Sequence, residues 1–214
     1  MSREILIATT NSGKAAELTV MLGALDVDVR WLTLAHFPDV PEVPEDGQSF
    51  AENARKKACG YAAATGLWTL ADDSGLVIDA LGGDPGVRSA RFSGPVKKPD
   101  TRQLLDHRNM AKVLSLMENV PDEKRTACFV CNICLASPDR VLAEAEGSLP
   151  GRITHRESGT NGFGYDPIFF LPGRNCTVAE LTAQQKNAVS HRGAALANLR
   201  PLLISVLHAG PEVP

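Results

Sequence analysis

The chain has 214 residues, enough for one large domain or for one domain built as two lobes, and nothing in its composition demands two independent ones. Lys and Arg number 22 against 25 Asp and Glu, and the net charge of -3 excludes the basic footprint of a duplex-DNA binder or of a protein held on an anionic membrane. No stretch approaches the roughly 20 apolar residues of a membrane span, and the run Ile5-Leu6-Ile7-Ala8 is too short for a secretory signal, so a cytoplasmic protein without nucleic-acid or membrane partners is expected.

That apolar run predicts a buried first strand. A polar loop follows from Thr9 to Lys14, and Ala16, Leu18, Val20, Met21 and Leu22 then suit a helix. Strand, loop and helix in this order is the geometry for anion capture at a helix N-terminus. The segment Thr10-Asn11-Ser12-Gly13-Lys14 supplies small polar side chains, a permissive glycine and a lysine for a phosphate. It is not a Walker A loop, because Ala8 and Ala15 stand where that motif has Gly and Ser or Thr. Taken alone, the segment is also consistent with an ordinary strand-to-helix turn.

Between Phe37 and Gly47 three prolines and four acidic residues predict an extended loop. A helix then starts on the capping box Ser49-x-x-Glu52 and ends near Gly66, with Asn53 and Lys57 on one face. Leu67 to Ala71 predicts a strand that stops at Asp72-Asp73-Ser74-Gly75, and Leu76-Val77-Ile78 a further short one. Two adjacent carboxylates at a strand end are unfavourable unless donors or a cation balance them. Mg²⁺ answers that need, since it takes one or two carboxylates together with phosphate oxygens. Glu42, Glu45 and Asp46 are candidates for a further ligand that spacing alone does not separate, and an acidic turn capped by Gly75 is the alternative.

Asp100 to Met117 predicts a helix, and Thr126 to Leu135 with Val141 to Glu146 an antiparallel pair joined through Ser137-Pro138-Asp139-Arg140. Cys128, Cys131 and Cys134 have the spacing of part of a thiolate site. Their apolar surroundings favour a buried strand that sends Cys131 to the face opposite the other two. Gly159 to Pro167 carries three glycines beside Phe163 and Tyr165, with Asp166, and runs into Ile168-Phe169-Phe170. This reads as a loop offering a flat face to a planar ring, or as a glycine-rich hairpin with core aromatics. Thr177-x-x-Glu180 is a second capping box, and a final helix is expected over about 190–207, kinked or divided at Pro201. Near its start Lys186, Ser190, His191 and Arg192 gather hydrogen-bond donors, Arg192 with a planar fork suited to a carbonyl edge.

Six segments in order, Ala8 to Lys14 with Glu17, Glu45 to Lys57, Ala71 to Leu76, Gly86-Val87-Arg88-Ser89-Ala90-Arg91, Gly162 to Pro167 and Ser190-His191-Arg192-Gly193, resemble the inosine triphosphate pyrophosphatase family. The resemblance covers nearly the whole chain. It implies a single domain over 1–214, an α/β fold with an elongated mixed sheet and flanking helices, and two lobes around a nucleotide-binding cleft. It further implies a homodimer and hydrolysis of dITP, ITP and XTP to the monophosphate and pyrophosphate. Position by position, Thr9, Thr10, Asn11, Ser12, Gly13, Lys14 and Lys57 match triphosphate contacts, and Glu45 and Asp73 match a Mg²⁺ site in which Asp73 is also the proton acceptor. Ser74 matches a substrate contact; Phe163, Gly164, Tyr165, Asp166, Lys186, His191 and Arg192 match base-holding positions. Asn161, the run Ala183-Gln184-Gln185, Arg88 and Pro201 depart from the family pattern. Two other readings of the same residues are a Maf-like pyrophosphatase for modified pyrimidine nucleotides and a non-catalytic nucleotide-binding module.

Overall fold

The computed structural model describes residues 2–94 and 101–209. Its elements run β1 (Arg3–Ile7), α1 (Ser12–Gly23), β2 (Val29–Thr33), α2 (Phe50–Thr65), β3 (Trp68–Ile78), α3 (Arg102–Leu116), β4 (Thr126–Ala136), β5 (Val141–Ile153), β6 (Phe169–Leu171), β7 (Cys176–Thr177), α4 (Ala183–Val189) and α5 (His191–His208), with short 3-10 turns between several of them. The strands form a seven-stranded sheet in the order β2-β1-β3-β4-β5-β6-β7. It is mixed: β1 is parallel to β2 and to the start of β3, whereas β6 is antiparallel to β5 and β7. The α/β class read from the sequence is the observed one.

The chain divides into two compact units. Unit 1 comprises Met1–Asp73, Cys131–Gly147 and His191–Pro214. Here Ile5, Ile7, Leu18, Leu22, Leu70, Cys131, Ile133, Leu199 and Leu203 make one core, and Leu6, Ala8, Ala54, Ala58, Tyr61, Ala71 and Cys134 make a second. Alternate residues of β1 therefore feed different cores, as the two-residue period of a strand requires. Cys131 and Cys134 fall on opposite faces as expected, and both are free and buried. Unit 2 comprises Ser74–Val130 and Ser148–Ser190. Its core gathers Leu76, Ile78, Met110, Val113, Phe129, Phe169 and Leu171, with the Phe129 and Phe169 rings stacked at 4.2 Å.

Several boundaries differ from the sequence reading. β3 does not stop at Asp72 but runs unbroken from Trp68 to Ile78, and β5 extends to Ile153 rather than Glu146. The helix expected from Asp100 starts at Arg102 with Thr101 as N-cap; Asp100 lies outside the described residues. The final helix expected over about 190–207 is found as α5 and Pro201 lies inside it without dividing it, but the sequence reading lacks the separate short helix α4 that precedes it. Ser49 caps α2 by accepting from the Glu52 amide, but the Glu52 carboxylate takes the Gln48 N–H instead of closing the box on Ser49.

Candidate functional site

In unit 1 the loop after β1 is shaped by its own polar side chains. Asn11 caps α1, its Oδ1 accepting from the Gly13 and Lys14 amides at 3.0 and 3.2 Å, while the Thr9 hydroxyl accepts from Asn11 N–H at 3.2 Å. The cap fixes where Lys14 leaves the first turn, and its ammonium lies 3.3 Å from Asp72 Oδ2 and 3.9 Å from Asp73 Oδ1. Ser12 and Thr10 are exposed on the same loop, Thr10 donating to Glu42 at 3.4 Å.

The buried face of α2 positions the acids. Asn53, 0% exposed, donates to Asp73 Oδ2 at 3.0 Å and accepts from Gly47 N–H at 2.7 Å. A Cβ at Gly47 would come within 2.6 Å of Asn53 Oδ1, so glycine is required for that approach. The Tyr61 hydroxyl accepts from Val43 N–H at 3.3 Å, which ties the preceding stretch of the loop to the same helix. Between these anchors sits Glu45, half-buried and 3.0 Å from Lys57 Nζ. The structure thereby separates the three acids that spacing could not: Glu42 meets Thr10, Asp46 pairs with Lys56 at 2.9 Å, and Glu45 alone of the three meets the buried Lys57.

Asp72 and Asp73 are neighbours on one strand with opposite surroundings. Asp72 Oδ2 collects Arg192 Nε at 3.2 Å, Arg192 Nη2 at 3.0 Å and Lys14 at 3.3 Å, with the Cys131 thiol at 3.9 Å. Burial pushes its proton affinity up, but the charges of Lys14, Arg192 and Lys57 together outweigh burial and hold the carboxyl below the usual range. Asp73 is held above its ordinary value, burial together with the nearby Glu45 charge raising it by more than Lys14, Lys57 and the Asn53 hydrogen bond lower it. Burial also raises the Cys131 thiol to about 12, so it is an inert packing group beside this network.

Arg192 is 1% exposed, and its fork is closed on carboxylates: Nε and Nη2 on Asp72, Nη1 on Glu17 of α1. The sequence reading gave this fork to a carbonyl edge of the base. The structure instead spends three of its N–H groups on locking the start of α5 to β3 and α1. His191, 7% exposed, opens the same helix. The start of α5 is set against β5 by a backbone approach that only glycine permits, since a Cβ at Gly147 would lie 2.3 Å from His191 O and 2.2 Å from Ala195 N.

In unit 2 the glycine-rich loop is organised by Asp166. Its Oδ2 accepts from Phe163 N–H at 2.9 Å and from Lys186 Nζ at 2.5 Å. Lys186 belongs to α4, whose capping box Thr182-x-x-Gln185 was legible but went unread in the sequence, and its ammonium stands 4.3 Å from the Phe163 ring centroid. Gly162 and Gly164 have φ of 77° and 63°, the left-handed region that turns the loop around Phe163. Tyr165 points inward, its hydroxyl donating to Ser89 O at 2.8 Å, so it packs the unit rather than offering a face. Ser74 follows Asp73 on β3 and is half-buried.

The model of the Ham1 family matches residues 5–202. The chain belongs to the Ham1 family. It is 50% identical to a dITP/XTP pyrophosphatase of Geobacter sulfurreducens over 92% of this chain and 94% of the relative, and 47% identical to one of Shouchella clausii over 95% and 98%. Among solved structures, a HAM1 protein from Coxiella burnetii superposes with a TM-score of 0.82 at 41% identity over 95% of this chain and 99% of that one, and the Staphylococcus aureus Ham1 protein with 0.81 at 36% identity over 95% and 100%. The family resemblance and the mixed-sheet α/β fold with flanking helices are borne out. No helix among the described residues is long and apolar enough to cross a membrane.

Proposed function

We propose that this Ham1-family chain hydrolyses dITP, ITP and XTP to the nucleoside monophosphate and pyrophosphate. The observation that carries the reading is Asp73: a carboxylate on the strand beside the phosphate-type loop, buried, flanked by Lys14, Asn53 and Lys57, and pushed toward higher proton affinity. A carboxyl raised in this way is a better base near neutral pH than a free aspartate. The relatives named above carry the same activity in their names.

Glu45 and Asp73 are the carboxylates that would hold Mg²⁺, which supplies charge neutralisation at the phosphates and acidifies the attacking water. The donor set fits: hard oxygens, one of them on a buried carboxylate that a cation would relieve. Among the described residues no group of three or more His, Cys, Asp or Glu could hold a metal ion by itself. An ion that completes its shell with water and substrate phosphate needs only one or two carboxylates. Asp73 takes the proton of the water that attacks the α-phosphorus, Asn53 fixing which way its carboxylate points. Lys14, Lys57 and the polar loop from Thr9 to Gly13, at the N-terminus of α1, balance the charge of the departing pyrophosphate. Phe163 offers a face to the purine while Lys186 and His191 present donors to a 6-oxo group, which an adenine amine would oppose.

Incubation with Mg²⁺ and dITP, XTP, GTP, ATP or UTP in turn, scoring monophosphate and pyrophosphate, tests the proposal. Turnover of dITP and XTP in preference to ATP, lost with EDTA and restored by Mg²⁺, is expected; binding without pyrophosphate release, or turnover confined to UTP, would refute it. We also propose a cytoplasmic homodimer; light scattering on the purified chain would check the dimer, and cell fractionation the location.

A further inference from the structure

The segment Gly86 to Arg91 and the helix α3 have no part in the reading above, yet both are wired to the aromatic loop of unit 2. Asp106 on α3 is 8% exposed, and its Oδ2 accepts from the Gly164 N–H at 3.0 Å across 58 residues of sequence. Its other oxygen faces Arg102 one turn earlier, at 3.1 Å. One turn later Asn109, 2% exposed, accepts from Ser93 N–H at 2.7 Å and donates to Ser89 O at 3.3 Å. Ser89 O also receives the Tyr165 hydroxyl at 2.8 Å. The bonds close a circuit: α3 to Gly164, on to Tyr165, across to Ser89, and back to α3 through Asn109.

Within that circuit the two amides that bracket Phe163 go to different carboxylates. The Phe163 N–H goes to Asp166, three residues on in the same loop, and the Gly164 N–H goes to Asp106 on a helix anchored in the core by Leu105, Met110 and Val113. Asp166 shapes the turn and, through Lys186, ties it to α4, but it does not hold the Gly164 peptide against α3. With both, the peptide planes on either side of Phe163 are fixed relative to α3, and with them the ring that stands 4.3 Å from Lys186. A Cβ at Gly164 would meet nothing within 4 Å, so this glycine serves the left-handed turn that aims its N–H and not a tight fit.

We infer that Asp106 is a positioning residue for base recognition, setting the pose of Phe163 through the Gly164 amide. The inference rests on the reading of this loop as the base-holding element. Removing a charge-assisted hydrogen bond from a half-buried amide weakens whatever depends on it by about tenfold. Asp106→Ala is expected to raise KM for ITP by about tenfold with kcat little changed, and to leave inhibition by inorganic tripolyphosphate, which engages only the loop and lysines of unit 1, unaltered. Asp106→Asn keeps an acceptor for Gly164 and should hold KM within about threefold of the parent. A merely structural role would move both ligands in parallel with the melting temperature. An ITP KM within twofold of the parent in Asp106→Ala, or equal losses toward ITP and tripolyphosphate, would overturn the inference. Phe163→Ala separates the levels: if it too leaves the ITP KM unchanged, the base-loop reading itself fails, whereas a raised KM there beside an unmoved Asp106→Ala refutes the role of Asp106 alone.

Discussion

Gly162→Ala tests the aromatic loop most directly. The added Cβ would lie 2.0 Å from Asp166 Oδ2 and 3.0 Å from its Cγ, and the carboxylate would have to give about 1.4 Å to restore an ordinary 3.4 Å contact. It has little room to do so, because Asp166 is 3% exposed and both partners bond the same oxygen, Phe163 N–H at 2.9 Å and Lys186 at 2.5 Å. Holding alanine at a φ of 77° costs about 1 kcal/mol, and losing a hydrogen bond to a charged group costs about 1.5 to 3 more. A total near 3 kcal/mol corresponds to a fall of about 6 to 12 °C in melting temperature for a chain of this size. Thermal melting and steady-state kinetics with ITP are the assays; KM is expected to rise at least about tenfold while tripolyphosphate inhibition holds. Gly164→Ala is the control: its φ is 63°, but its Cβ meets nothing, so only the backbone penalty of about 1 kcal/mol applies. Equal effects of the two substitutions would show that displacement of Asp166 is not what matters, and the reasoning would fail.

Asp73→Asn should lower turnover by about a hundredfold or more while nucleotide binding is largely kept. Because burial holds the Asp73 carboxyl above its unfolded value, its contribution to stability is present at low pH and lost as pH rises through the folded value. The inactive variant should therefore melt higher than the parent at pH 7 and equally near pH 3, which calorimetry across pH would check. Asp72→Asn should do the reverse, destabilising by about 3 kcal/mol at pH 7 because it deprives the buried Arg192 guanidinium of the Asp72 carboxylate charge. As Asp72 is held low, that loss should shrink as pH falls through and below the ordinary carboxylate range, a trend that urea unfolding at several pH values would reveal. Gly147→Ala places a Cβ against backbone at 2.2 and 2.3 Å, and should destabilise by about 3 kcal/mol and blur the ratio of ITP to ATP turnover by shifting His191.

Much of this was legible because it is local. The helix after the Thr9–Lys14 loop, the end of α2 at Gly66 and the shared face of Asn53 and Lys57 are all set by residues within one or two turns of each other, and each is found where the pattern put it. The misread features depend on partners far along the chain. Asp72-Asp73-Ser74-Gly75 has the composition of a turn, yet β3 continues through it because Arg192, 120 residues away, neutralises Asp72 inside the fold. The same distance hides the Arg192 fork, whose carboxylates lie on β3 and α1. Asp106 carried no signal at all: a carboxylate on an amphipathic helix reads as a solvated residue until the loop 58 positions on is folded against it. α4 is a different kind of miss, since its Thr182-x-x-Gln185 box was present and obscured only by the longer helix beside it.

The acid pair looks in sequence like one feature, two charges asking for one cation, and the fold makes it two. Asp72 is paid in full by Arg192 and Lys14, and it ties the first turns of α1 and α5 to β3, so Lys14 and His191 start from a common fixed point. Asp73 receives a neutral amide at 3.0 Å and has its nearer lysine, Lys14, at 3.9 Å, against 3.3 Å from the same lysine to Asp72. Environments that push two adjacent carboxyls in opposite directions divide labour between them, one as scaffold and the other as the group with proton affinity to spare. Stability and activity then respond oppositely to the same conservative change at neighbouring positions. A loss of stability at Asp73→Asn equal to that at Asp72→Asn would mean that the pair acts as a single structural charge, and Asp73 would lose its claim to be the base.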